Sequence, residues 1–187
     1  MGSKIISGIT SDKSVRIYVV DSTSMVEEAR IIHNATPVST AALGRVISAT
    51  SLMGRMLKNE KESITVQVKG SNEIKTIVGV GNVEGNVKAY ISNPDVVRPA
   101  NALGKIDVGG AVGKDGHLVV VRDLGLKEPF IGRSELVSGE IAEDLASYYM
   151  KSEQQPSVVS LGVLMDPEVG GVVAAGEIGR ASCRERV

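Results

Sequence analysis

The feature of this sequence that most restricts its fold is the excess of valine over aromatic residues: 27 Val stand against four Tyr, one Phe and no Trp in 187 residues. β-Branched side chains are stiff at χ1 and fit a pleated, half-buried surface better than a helix. A core assembled from them is therefore mainly a sheet core. Local patterning agrees. From Lys13 to Val20, Val15, Ile17 and Val19 alternate with Arg16 and Tyr18, the period of two expected of a half-buried strand. The same alternation predicts a three-strand meander over about 63–69, 73–80 and 86–91, with turns at Gly70–Asn72 and Gly81–Asn86. Two further strands are predicted over 117–122 and 130–137, and a hairpin over 158–165 and 169–174 around Asp166, Pro167 and Glu168.

Three stretches read as helices. Ser24 stands three residues before Glu27, the spacing of a capping box, and Met25, Ala29 and Ile32 share one helical face before Asn34. Thr36 and Pro37 then place a capping hydroxyl before a residue suited to a first helical turn. From Val38 to Lys58, Ala42, Val46, Ala49, Met53 and Met56 recur at helical spacing, so the longest helix belongs in the core against a sheet. The Gly-, Pro- and Asn-rich run 93–116 reads as a loop with a short helix near Ile106. Ser138 and Gly139 open a last helix that buries Ile141, Leu145 and Tyr148 or Tyr149, carries Lys151 at its far end and is stopped by Pro156. The expected fold class is α+β: mostly antiparallel sheets packed with a few helices, in a single domain.

Composition excludes several functions. A formal charge of -1 leaves no basic excess to neutralise a phosphate backbone, so nucleic acid is not an expected partner. No apolar run approaches the ~20 residues of a membrane span, and no signal peptide opens the chain, so the expected location is cytoplasmic. The one cysteine, Cys183, allows neither an internal disulfide nor a thiolate zinc site.

The candidate motifs read as structural. Gly79, Gly81 and Gly85 have the wrong spacing for a dinucleotide fingerprint and read as turn glycines; there is no Walker sequence, and Gly109, Gly110 and Lys114 offer only a loop. His33 and His117 have no second ligand at metal spacing. Glu140, Glu143 and Asp144 read as solvated acids complementing a helix dipole rather than an acid pair or metal site. Asn34–Thr36 is a chance sequon. Arg45 and Arg55 read as side chains snorkelling beside the long helix, although pairing with acids across an interface is the alternative. Met53 and Met56 read as gap-filling core residues, with an adaptable binding surface as the alternative. No catalytic, cofactor-binding or metal site is expected, and the chain is expected not to be an enzyme.

The last eleven residues, EIGRASCRERV from Glu177 to Val187, follow neither period and carry three Arg. They read as a vector-encoded tail behind a domain of residues 1–176, which would leave Cys183 without a role.

Four segments carry a specific resemblance: ATPVSTAALGRVISATSLMGRMLK (35–58), ITVQVKG (64–70), GNVKAYISNP (85–94) and VSGEIAEDLASYYMKSEQQPS (137–157). In collinear order, over nearly all of residues 3–176, the chain resembles the amino-terminal domain of the thirty-three-kilodalton heat-shock protein family. Most specific is the segment with Glu143, Asp144, Tyr148, Tyr149, Ser152, Glu153, Gln154 and Pro156. The resemblance implies an ATP-independent, redox-regulated holdase that binds unfolding or oxidatively damaged proteins and dimerises on activation. In that family a carboxy-terminal domain binds zinc through C-x-C and C-x-x-C motifs; those four cysteines are absent here, so zinc binding and redox sensing do not carry over. Family members continue after Gly176 with a glycine and an apolar strand; its loss would leave a sheet edge open to strand exchange in a swapped homodimer. Two rivals remain: an enzyme with a carboxylate-based pocket in 101–116, or a purely structural dimerisation module.

Overall fold

A computed structural model of the chain describes residues 4–182 except 167 and 169. Its elements are β1 (Lys4–Ile9), β2 (Val15–Asp21), α1 (Thr23–His33), α2 (Pro37–Arg55), β3 (Ser63–Lys69), β4 (Thr76–Asn82), β5 (Val87–Ile91), α3 (Val108–Val112), β6 (His117–Asp123), β7 (Phe130–Glu135), α4 (Ala142–Lys151), β8 (Ser157–Met165) and β9 (Val172–Ser182). The strands form two antiparallel sheets. Sheet A runs β1-β2-β9-β8 and sheet B runs β5-β4-β3-β6-β7. The fold is α+β in one domain, and the strands expected at 63–69, 86–91 and 117–122 form within a residue or two of those limits.

Helix α2 explains how the sheets stack. It packs on β3, β4 and β5 of sheet B with one side and on β2, β8 and β9 of sheet A with the other. Sixteen of its nineteen residues are buried, so it is a central layer rather than an amphipathic helix lying on one sheet. Sequence reading saw only the apolar stripe because the remaining faces carry small polar residues. Each of these is satisfied inside the core: Ser39 donates to Asn93 O, Thr50 to Val46 O and Ser51 to Gly85 O, and Ser48 Oγ lies 2.7 Å from Ser22 Oγ. Close approach also needs glycine opposite the helix. Gly79 and Gly81 lie inside β4, not in a turn, and a Cβ at Gly79 would fall 2.4 Å from Thr50 Oγ1. Of the three glycines read as turn residues, only Gly85 is one, at φ +82°.

Other expectations are corrected. The N-cap of α1 is Ser22, not Ser24, so the capping box does not form. Val26 is its buried residue, whereas Ile32 is exposed. Strand β1 was not foreseen; it is an edge strand whose side chains are almost all exposed, so no burial period marks it. The short helix α3 begins two residues beyond Ile106. The residues set aside as a tail do not leave the fold at Gly176: β9 runs to Ser182, and 176–182 pair with β2 over its whole length. The free edge on that side of sheet A is therefore β8. Pro167 and Cys183 lie outside the described residues.

Candidate functional site

The three acids at the start of α4 have three different fates. Asp144 is fully buried. Its carboxylate accepts hydrogen bonds from the backbone N–H of Val137 (2.6 Å), Ser138 (3.1 Å), Gly139 (3.4 Å) and Ile141 (2.8 Å), which closes the loop entering the helix. That loop is held with Ile141 at φ +68°. Glu140 bridges elements: it is ion-paired with Arg45 in α2 and accepts from Gly109 N–H at 3.0 Å. Arg45 also donates to Glu140 O at 3.1 Å, so it pairs across the interface instead of snorkelling. Only Glu143 is exposed and solvated as expected. These groups form a structural joint, not an acid pair.

The rest of the distinctive segment clamps α4 to sheet B. Tyr148 and Tyr149 are both buried, edge to face with centroids 5.7 Å apart. Tyr148 packs so tightly on β7 that a Cβ at Gly132 would lie 2.5 Å from its hydroxyl. That hydroxyl donates to Glu153 (2.6 Å), which also pairs with Arg122 (3.0 Å), and burial pushes both tyrosines above the ordinary phenol range. Ser152 donates to Arg133 O, and Gln154 adopts φ +53°.

The histidines stay apart. His33 Nε2 contacts Ala89 O at 3.3 Å, and His117 Nδ1 faces Arg133 at 3.2 Å. Burial, then Arg133 and Lys69, lower the pKa of His117. Arg55 is exposed and donates to Val83 O. Met53 is buried, whereas Met56 is 39% exposed. Among the described residues, no group of three or more His, Cys, Asp or Glu could hold a metal ion. The chain's residues therefore do not fit a thiolate zinc site. No helix among the described residues is long and apolar enough to cross a membrane.

Enclosed space does not favour the loop-pocket enzyme. A cavity of about 190 Å³ is lined by Tyr18, Leu52, Met56, Tyr149 and Glu177 among others, near the carboxy end of α2 and away from 101–116. Burial alone pushes Glu177 up to about 8, and its Oε2 has no hydrogen-bond partner. An isolated acid without a base, an oxyanion donor or a metal beside it is not a catalytic arrangement.

What is broad and open is the outer side of sheet A. The helices pack on its inner side, where Val20, Glu177 and Ala175 are buried. Outward, register places Ile6 opposite Val19 and Val19 opposite Ile178, with Ile17 in the next row. Val158 and Leu164 continue the surface along β8. Ile6, Val158, Leu164 and Ile178 are each more than half exposed. Added Cβ atoms at Gly8 and Gly162 on this side would meet nothing within 4 Å. Val19, Ser160, Gly162, Leu164, Ala174 and Ile178 line one shallow trough across it. Sequence reading named exposed apolar residues of a sheet face as the candidates but could not tell them from core residues.

Fold and surface together define a binding domain: a β–α–β sandwich with one apolar sheet face left open. The family model described as Hsp33 protein matches residues 3–178, and the chain belongs to that family. It is 51% identical over 166 residues to the 33 kDa chaperonin of Alkaliphilus metalliredigens, covering 89% of this chain and 57% of that one. With the 33 kDa chaperonin of Clostridium botulinum it shares 49% over 178 residues, covering 95% and 60%. The crystal structure of the 33 kDa chaperonin from Thermotoga maritima superposes with a TM-score of 0.90 at 43% identity, covering 97% of this chain and 61% of that one. The chain thus spans about three-fifths of the length of these relatives.

Proposed function

We propose that this chain is the client-binding and dimerisation domain of an ATP-independent chaperone, a cytoplasmic holdase that keeps unfolding and oxidatively damaged proteins from aggregating and performs no chemistry of its own. The observation that carries the proposal is the open side of sheet A, where Ile6, Ile17, Val19, Val158, Leu164 and Ile178 are exposed on one uncovered surface. Covering ~400 Å² of apolar surface is worth ~10 kcal/mol gross at ~25 cal/mol per Å². Association costs of ~4–15 kcal/mol take up most of that. Such a face binds many exposed apolar segments reversibly and none specifically. Pairing two copies in a dimer, by association or by strand exchange, then raises retention through avidity.

Regulation by redox state and zinc belongs, on this reading, to a carboxy-terminal domain that this chain does not include. Residues 177–187 are read as a foreign tail. The support is Glu177, a buried carboxylate with an unpaired oxygen at a position where an apolar strand residue would fit.

The test is an aggregation assay with a chemically unfolded enzyme. The chain should suppress light scattering at about stoichiometric dimer, and an Ile17→Ser/Val158→Ser variant, folded by circular dichroism, should lose most of that suppression. A folded chain without suppression would rule out the holdase reading and leave a structural dimerisation module. Undiminished suppression by the variant would move the binding surface elsewhere.

A further inference from the structure

A second cavity, of about 330 Å³, opens where the carboxy end of α2 passes between the sheets. Its walls are Met53, Met56, Leu57, Ile64, Leu124 and Tyr149, all apolar but for one phenol. This volume sits at the lower end of the ~300–1,000 Å³ typical of small-molecule sites, and two unbranched methionines make the walls adjustable. The acids at its edge are already engaged. Glu62 accepts from Lys58 N–H and Asn59 Nδ2, and Glu153 is held by Tyr148 and Arg122. Lys58, which also lines the cavity, makes no ion pair. Beyond it a shallow hollow is lined by Lys58, Lys61 and Val83, with Arg55 hydrogen-bonded to Val83 O. These three cations gather just where the carbonyl end of α2 already favours positive charge.

From an apolar chamber opening onto a cationic rim, we propose a binding site for a single medium-chain aliphatic carboxylate. The chain lies between Met53, Met56 and Leu124, and the head group is at Lys58 and Lys61. The site is separate from the open face of sheet A and stands independently of the holdase reading.

The test titrates decanoate into protein carrying 13C-labelled methionine methyl groups. The Met53 and Met56 resonances should shift saturably below the micelle concentration. Lys58→Glu/Lys61→Glu should weaken decanoate at least tenfold while leaving decanol unchanged. Filling the chamber with Met56→Trp, or with Leu124→Trp should the first variant fold poorly, should abolish binding of both. Equal affinity for decyltrimethylammonium, an unchanged decanoate affinity in the lysine variant, or shifts confined to Ile6, Ile17 and Val158 would each overturn the proposal.

Discussion

Replacing Glu177 by leucine should make this chain more stable, and by an amount that depends on pH in a defined way. Glu177 lies in β9 opposite Val20 on β2 and Leu161 on β8, 4% exposed, with Oε2 unpaired. Burial raises its pKa from 4.5 to about 8. Between those values the folded chain holds a proton that the unfolded chain has released. The unfolded state thus binds fewer protons, and stability falls as pH rises. The loss is absent below pH 4.5, grows through the window and levels off above about pH 8. At ~1.4 kcal/mol per unit, the two and a half units up to pH 7 cost about 3 kcal/mol. For a domain of this size that is ~6–12 °C in Tm. Leucine removes both the charge and the unpaired oxygen. Urea unfolding of both proteins at pH 5.0 and 7.5 should give a small gap at the lower pH, wider by about 3 kcal/mol at the higher. A gap independent of pH, or a leucine variant no more stable at pH 7.5, would refute the assignment of a buried, uncompensated carboxylate.

Three further outcomes are expected. Asp144→Ala removes the acceptor of four backbone N–H groups and should lower stability by about 2–4 kcal/mol in urea unfolding, with amide exchange fastest over 137–141. Gly79→Ala drives a Cβ to within 2.4 Å of Thr50 Oγ1 and should cost about 1–3 kcal/mol, part of which a Thr50→Ala change on the same chain recovers in thermal melts. Gly162→Val adds an apolar side chain into open space on the outer side of sheet A; it should leave the melting temperature within a few degrees and strengthen suppression of aggregation, and a weaker suppression would argue against that side as the binding surface.

Much of sheet B was legible because its strands obey one rule. In β3, Ile64, Val66 and Val68 are buried and Thr65, Gln67 and Lys69 point out, so period and burial coincide. The ends of α2 were legible for a similar reason, since Thr36 and Pro37 are local signals that tertiary contacts do not overrule. What was missed depends on partners far away in the chain. Nothing near Asp144 announces that its carboxylate will turn back onto Val137, or that Glu140 will meet an arginine 95 residues earlier. Ser22 became the N-cap of α1 because its N–H is fixed by Ala175 O and its hydroxyl by Ser48, neither visible from the sequence around Ser24.

The most instructive misreading concerns β2. Its alternation marks Val15, Ile17 and Val19 as the apolar set, and the ordinary inference turns such a set inward. The strand does the reverse. Val20 is 2% exposed on the helix side, whereas Ile17 and Val19 are 38% and 36% exposed on the open side. Strand β8 is apolar on both sides, with Val159, Leu161 and Val163 toward the helices and Val158 and Leu164 away from them. A strand that reads as buried twice, yet is covered once, leaves its second apolar face for something outside the domain. Sequence period alone cannot tell such a face from core, because the chemistry that excludes water is the same in both. Only the layer count distinguishes them: one helical layer serves two sheets, so each sheet keeps one side free, and on sheet A that side is built from core residues. The surface proposed to hold clients is thus a core face whose covering layer this chain does not supply.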